Sequence, residues 1–503
     1  MKSNYYISSF FWSTLSKILN AIINFISVPL LLGVWGQADY GVLSLATACN
    51  GYMHLLDLGM NTGAIKFYSQ WKTEGKINLI YRVAHSNTTF YMLISLINTI
   101  GLLAIAIWGE GLFNITHEQF LTLRLCLIIL ALFSLLTWVT TSYNQLLIAD
   151  KQMAYTQQIQ CIISVLKAIL VIATLFFNIG LTNYFFFFNL IVALLLIPYA
   201  YKCKKDNLID NFKIKFYWND FKIVLMYSLS LFALSLFQVT ATQSRPLILG
   251  MLASNAADIA AEYRIIEVIP LFIIVVGGTL TGIFLPKSSE LIAQKNQDEI
   301  EKFAYKGTTI TTILANILCI PFILGAKQII SAYVGIEYQY LYIWLILWCV
   351  TVLIQIHTTP GNSLILAYGK TKVLVYISAT SCIISMIINA LLCKHYGVGS
   401  AVIGYFIYVI IVIGSYYVAY YQKILKLNRQ KMFIAFIKPT LFSLIAFGVT
   451  YLLPYEVIHI DNISNKITYL FIFTLKGIIW FSLYCLLLWV FKIIQLKDKK
   501  ISI

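Results

Sequence analysis

Lys17, Asn20, Asn24 and Ser27 recur at spacings of three, four and three. A helix therefore brings an ammonium, two carboxamides and a hydroxyl onto one face. Ser228, Ser235, Gln238, Thr242 and Arg245 obey the same rule at seven, three, four and three. Cations and hydrogen-bond donors aligned in an apolar chain suit an anionic ligand, and a guanidinium suits one that accepts two parallel hydrogen bonds. The alternative reading of such stripes is hydrogen bonding between helices. A third stripe, Asn50, His54, Asp57 and Asn61, carries a carboxylate beside an imidazole. That pair could carry a proton or Na⁺, or Asp57 could serve as the structural partner of a lysine. Lys167 and Arg264 are further candidate cations, with Glu267 three residues beyond Arg264 and placed to neutralise it or join the ion-coupling set.

The elements that position these groups follow from composition. The chain of 503 residues is 60% hydrophobic and 11% charged, with mean hydropathy +0.82, outside the range of water-soluble domains. Apolar runs of about 20 residues separated by short polar breaks predict an all-α polytopic membrane protein of about fourteen transmembrane helices. They fall near 10–33, 40–64, 87–108, 121–148, 155–178, 181–201, 223–252, 260–285, 308–330, 340–366, 373–393, 398–421, 433–453 and 467–491. With the N-terminus inside, about 26 Lys and Arg fall in inward loops and about two in outward ones. This places both termini in the cytoplasm and makes the net charge of +16 a matter of topology, not of nucleic acid. Lys2 precedes a long first helix with no small-residue cleavage site, which predicts a retained anchor.

Eight cations lie in or at the edges of helices: Lys17, Arg124, Lys167, Arg245, Arg264, Lys327, Lys438 and Lys476. A cation at a lipid-facing bilayer centre costs about 2.5–3.5 kcal/mol on insertion scales. Arg124, Lys327 and Lys438 lie close enough to helix ends to snorkel. Lys17 and Arg245 are the strongest candidates to line a cavity. The nine cysteines read as small apolar residues, and no metal, disulfide or cofactor motif is found.

Three short words recur at nearly constant offset: PLLLG (29–33) and PLILG (246–250), GMNTG (59–63) and GTLTG (278–282), NQLLIA (144–149) and NSLILA (362–367). They predict two parallel six-helix repeats about a central cavity. An N-lobe spans 1–201 and a basic cytoplasmic linker 202–222. A C-lobe follows at 223–421, and 422–503 hold two appended helices and a cytoplasmic tail. In repeat coordinates Arg245 matches Val28, eleven residues beyond Lys17, or about 16 Å of helical rise.

NAIINFISVPLLLGVWGQADYG (20–41), LLDLGMNTG (55–63), GNSLILAYGKTK (361–372) and YGVGSAVIGY (396–405) resemble the polysaccharide flippases of the multidrug/oligosaccharidyl-lipid/polysaccharide (MOP) exporter superfamily. The likeness is strongest to the Wzx-type O-antigen flippases. It implies movement of an undecaprenyl-diphosphate-linked oligosaccharide from the inner to the outer leaflet of a bacterial cytoplasmic membrane. The cargo belongs to lipopolysaccharide or a related polysaccharide, and polymerase machinery is an expected partner beside membrane lipids. A diphosphate crossing the bilayer needs cations at more than one depth, as Lys17 and Arg245 would supply.

A multidrug cation antiporter of the same superfamily is the rival reading, but it would want carboxylates where this chain has mostly cations. A polymerase or ligase would need a substantial external loop, whereas the external segments 109–120 and 454–466 have connector length. The expectation is a transporter, not an enzyme, without a cofactor. Two negative charges leaving an inside-negative cell gain roughly 4–5 kcal/mol per 100 mV, so membrane potential, H⁺ or Na⁺ are the candidate driving forces.

Overall fold

The computed structural model describes residues 2–209, 214–294, 296–369, 372–453 and 465–491, together with 493, 495–497 and 500–502. Most of the expected outer connector 454–466 lies outside the described residues, as do 210–213 of the linker. Among the described residues seventeen α-helices follow in chain order. They are α1 (Lys2–Met53), α2 (Met60–Thr73), α3 (Ile77–Trp108), α4 (His117–Ala149), α5 (Met153–Phe177), α6 (Leu181–Ala193), α7 (Leu196–Lys205) and α8 (Trp218–Leu252). Then come α9 (Ala256–Gln294), α10 (Gln297–Leu324), α11 (Ala326–Tyr333), α12 (Tyr342–Ile356), α13 (Thr359–Tyr368) and α14 (Lys372–Tyr396). The last are α15 (Val398–Ser415), α16 (Arg429–Tyr451) and α17 (Asn465–Val490), before a short antiparallel pair, β1 (Gln495–Lys497) and β2 (Lys500–Ser502).

Eleven helices among the described residues are long and apolar enough to cross a membrane. The first, Ser8–Asp57, has 50 residues, more than twice the roughly 20 a single crossing needs. Gly36, at φ 81° and ψ 175°, breaks it where the sequence places the gap between its first two spans. Only glycine takes that backbone conformation without strain. The expected sixth span, 181–201, is divided at Leu194–Leu195 into α6 and α7. The expected tenth, 340–366, is divided at His357–Thr358 into α12 and α13, the latter with Pro360 in its first turn.

Helix starts carry local signals. Thr116 and Gln119 form a capping box at α4. Asn296 caps α10 and Asn428 caps α16, each side chain accepting from exposed backbone N–H groups. Prolines 29, 246, 321 and 439 lie inside helices, as membrane helices tolerate.

The chain forms two compact units, one of residues 1–264 and 390–397, the other of 265–389 and 398–503. The division thus falls inside α9 and α14. The first unit is built on α3 against α4 and α1 against α5, around cores that include Tyr68, Tyr91, Trp138, Leu45 and Phe120. The second is built on α10 against α16 and α12, with Trp348, Cys349 and Val352 buried among them.

Glycines set the closest approach in the first unit. A Cβ at Gly41 would collide with the Ala257 carbonyl, one at Gly51 would lie 2.7 Å from Gln243 Oε1, and one at Gly59 would lie 2.7 Å from the Ser228 carbonyl. As residue numbers rise from 41 to 59 their partners fall from 257 to 228. The stretch from Gly51 to Gly59 therefore runs antiparallel to α8, with Gly41 against the start of α9.

Candidate functional site

After α1 the chain makes a single 3₁₀ turn, His54–Asp57, and then two left-handed residues, Leu58 at φ 53° and Gly59 at φ 73°, before α2 begins. The break turns Asp57 toward α3. Tyr91 donates its hydroxyl to Asp57 Oδ1 at 2.5 Å, and the Asn61 N–H donates to Oδ2 at 3.2 Å. Gln145 of α4 donates Nε2 to the Tyr91 oxygen at 2.7 Å, and Asn87 of α3 donates Nδ2 to Gln145 Oε1 at 2.7 Å. Asn87, Tyr91 and Gln145 are fully buried. Trp138 closes the site, stacked on Tyr91 at 5.9 Å between centroids and 5.5 Å from the His54 ring.

More buried polar pairs line the same α3–α4 seam. Thr88 and Ser142 share a hydrogen bond of 2.8 Å, and Asn98 donates to Ser134 at 2.9 Å. In an apolar solvent such pairs hold helices together while satisfying groups that cannot reach water. Sequence reasoning missed this seam. Its signal was present as Asn87, Tyr91, Ser95 and Asn98 at spacings of four, four and three, opposite Ser134, Ser142 and Gln145.

The expected anion-binding residues are placed as follows. Lys17, Asn20 and Asn24 are exposed along the first half of α1, where Ser27 donates back to the Asn24 carbonyl at 3.0 Å. Gln238 is exposed, and Thr242 is half-buried with its hydroxyl on the Val239 carbonyl at 2.8 Å. The side chain of Ser235, on the same stripe, lies outside the described residues. Arg245 is buried, and its Nε donates to the Ala241 carbonyl at 2.9 Å. Lys167 is half-buried, its ammonium 4.5 Å from the Phe188 ring centroid, a cation–π contact between α5 and α6. Arg264 and Glu267 are both half-buried on α9, Arg264 as the last residue before the division between units and Glu267 beyond it. His54 is exposed and Asp57 half-buried, and the break brings these two together with Asn61. Ser228, by contrast, packs rather than binds. It is fully buried, and a Cβ at Gly63 would strike its Oγ.

Lys17 and Arg245 stand at different distances from the ends of their own spans. Lys17 lies nineteen residues before Gly36, about 28 Å of helical rise, and Arg245 lies seven before Leu252, about 10 Å.

Residues 7–291 match the polysaccharide biosynthesis protein family. The chain belongs to that family. A comparison with curated proteins finds no match. Among solved structures, the lipid II flippase MurJ in an inward-closed conformation aligns at TM-score 0.69 and 14% identity, over 97% of this chain and 99% of that one. An inward-facing multidrug resistance MATE family transporter of the MOP superfamily aligns at 0.63 and 14%, over 80% and 93%. A MOP superfamily transporter from Pyrococcus furiosus, described as having a binding pocket of reversed polarity, aligns at 0.54 and 12%, over 81% and 94%. This member of the polysaccharide biosynthesis family is thus a multi-pass membrane protein with the fold of MOP superfamily transporters.

Proposed function

We propose that the protein is a flippase that carries an undecaprenyl-diphosphate-linked oligosaccharide, an O-antigen or similar repeat unit, from the inner to the outer leaflet of a bacterial cytoplasmic membrane. The observation that carries this reading is membership of the polysaccharide biosynthesis family over residues 7–291, on a fold that MurJ, named a lipid II flippase, shares over nearly its whole length. Lys17 and Arg245 would add cations at two depths, since a diphosphate released by one must meet another before the outer leaflet. Lys17 would engage the diphosphate first, Lys167 and Arg264 would extend the basic path, and Arg245 would receive it later. Asn20, Asn24, Gln238 and Thr242 would donate to phosphate or sugar oxygens.

Transport would proceed by alternating access between two lobes, with both termini in the cytoplasm. Asp57, with His54 beside it and Glu267 as a further carboxylate, would carry a coupling H⁺ or Na⁺, and membrane potential would supply part of the drive. No reaction chemistry is assigned to the chain, and no cofactor.

The test is complementation of a flippase-null strain scored by surface glycan, paired with transfer of undecaprenyl-diphosphate-linked oligosaccharide in proteoliposomes. Restored glycan with transfer by the purified protein supports the proposal. Export of cationic dyes without transfer of the lipid-linked glycan would replace it with the multidrug reading.

A further inference from the structure

The second unit contains a cavity of about 760 Å³ between the end of α12, α15 and the start of α16. That volume suits one chain of a lipid, and its apolar walls leave a glycan almost without hydrogen-bond partners. Ile354, Ile413 and Phe436 form its walls, and Phe433 and Ile410 are half-exposed at its rim. The polar groups inside are already engaged. His357, at the break between α12 and α13, meets the Ile354 carbonyl through Nδ1 at 2.5 Å and the Tyr417 hydroxyl through Nε2 at 3.2 Å. The His357 ring stacks on Phe436 at 4.1 Å. An occupant of the interior must therefore be apolar, and the apolar rim opens it to the hydrocarbon of the bilayer.

The polar end of the cavity has the opposite character. Arg429 and Gln430 line it, and both are exposed in the first turn of α16. Lys423, Lys426 and Lys431 are exposed beside them, and the sequence contains no acidic residue between Glu337 and Glu456. Among the described residues no carboxylate forms an ion pair with Arg429. An apolar cavity with a guanidinium at the end of a membrane helix matches a chain with an anionic head.

We propose that this cavity is a binding site for an anionic glycerophospholipid, one acyl chain lying between α12, α15 and α16 and the phosphate at Arg429. A protein segment would bring backbone polar groups against walls that cannot pair with them, and a zwitterionic head would set its own cation beside Arg429. The site lies wholly within the second unit, whereas Lys17, Lys167 and Arg245 belong to the first. It does not rest on the roles proposed for those residues.

The experiment is native mass spectrometry of the purified full chain titrated with phosphatidylglycerol, phosphatidylethanolamine and undecaprenyl phosphate. Wild type should retain one phosphatidylglycerol about fivefold more tightly than phosphatidylethanolamine, as expected for one cation meeting an anionic head. Arg429→Gln, at an exposed position, should abolish that preference. Ile410→Trp, which fills the rim and leaves Arg429 in place, should weaken retention of phosphatidylglycerol. Equal binding of the two phospholipids, or an unchanged preference in Arg429→Gln, would overturn the proposal. Displacement of phosphatidylglycerol by undecaprenyl phosphate at equal concentration would also overturn it and assign the cavity to the cargo's tail.

Discussion

Tyr91 and Asp57, 34 residues apart, are joined by a 2.5 Å hydrogen bond from the α3 phenol to the carboxylate of the 3₁₀ turn. The bond fixes the one acidic group of that turn against a fully buried wall. Removing the donor in Tyr91→Phe leaves Asp57 Oδ1 and Gln145 Nε2 without this partner, and should cost about 1–3 kcal/mol. Thermal unfolding in detergent measures the loss. A midpoint equal to that of wild type would show that the bond contributes nothing to the fold.

Asp57→Asn addresses coupling. If Asp57 carries a cation, the variant should insert normally yet lose the pH or Na⁺ dependence of flipping in proteoliposomes. Dependence that persists as in wild type would assign Asp57 to structure alone.

Lys17 and Arg245 should both be needed for surface glycan. Lys17→Ala and Arg245→Ala should block complementation at normal membrane abundance, with Lys17→Arg tolerated better than Lys17→Ala. Arg245→Lys should rescue in part, because the point charge survives while the bidentate geometry is lost. Full surface glycan from the double alanine variant would remove both residues from the transport path.

Gly41 tests the packing of α1 on the start of α9. Gly41→Ala drives a methyl into the Ala257 carbonyl, a backbone group that cannot swing aside, and should destabilise the protein by about 1–3 kcal/mol. Gly33→Ala is the control, since a Cβ there meets nothing within 4 Å. Equal melting of the two variants would contradict this close approach.

A polar clasp on the first unit predicts a pH response. Lys72 pairs with Asp150, and Gln152 bridges Asp150 at 2.7 Å and Asp206 at 2.6 Å. The Gln152 hydrogen bond, and then Lys202, hold the Asp206 carboxyl below its ordinary value of 3.8. With its folded value depressed, the stabilisation is complete above the ordinary aspartate value and is lost as pH falls through the folded one. The melting midpoint should drop below about pH 4 in wild type, and Asp206→Asn should flatten that part of the curve. An identical acid profile in the variant would exclude Asp206 as its source.

Much of this was legible in the sequence. Apolar run lengths gave the helices, and Gly36 fell in the gap between the first two expected spans. Breaks inside apolar runs were harder to see. The Leu194–Leu195 break is signalled only by Pro198 beyond it, whose missing N–H cannot continue the helical ladder, and the His357–Thr358 break only by Pro360. Polar stripes showed which helix faces matter but not the use made of them. Ser228 and Gln238 belong to one stripe, yet Ser228 is packed against Gly59 and Gly63 while Gln238 is exposed. The cavity of the second unit was not legible, because its walls come from segments far apart in the chain. The repeat words also diverge in structure. GMNTG opens at a left-handed break, whereas residues 278–282 continue within α9.

The hydrogen bonds that meet at Gln145 all run one way. Asn87 donates to Gln145, Gln145 to Tyr91, and Tyr91 to Asp57, so a line of donors through two helices ends on a carboxylate that only accepts. A proton arriving on Oδ1 reverses the last link, and Tyr91 must then find an acceptor where Gln145 now presents an N–H. The Gln145 amide has to turn over, and Asn87 has to turn with it. A proton taken up by the Asp57 carboxylate would therefore be felt through Tyr91 and Gln145 by side chains on both α3 and α4.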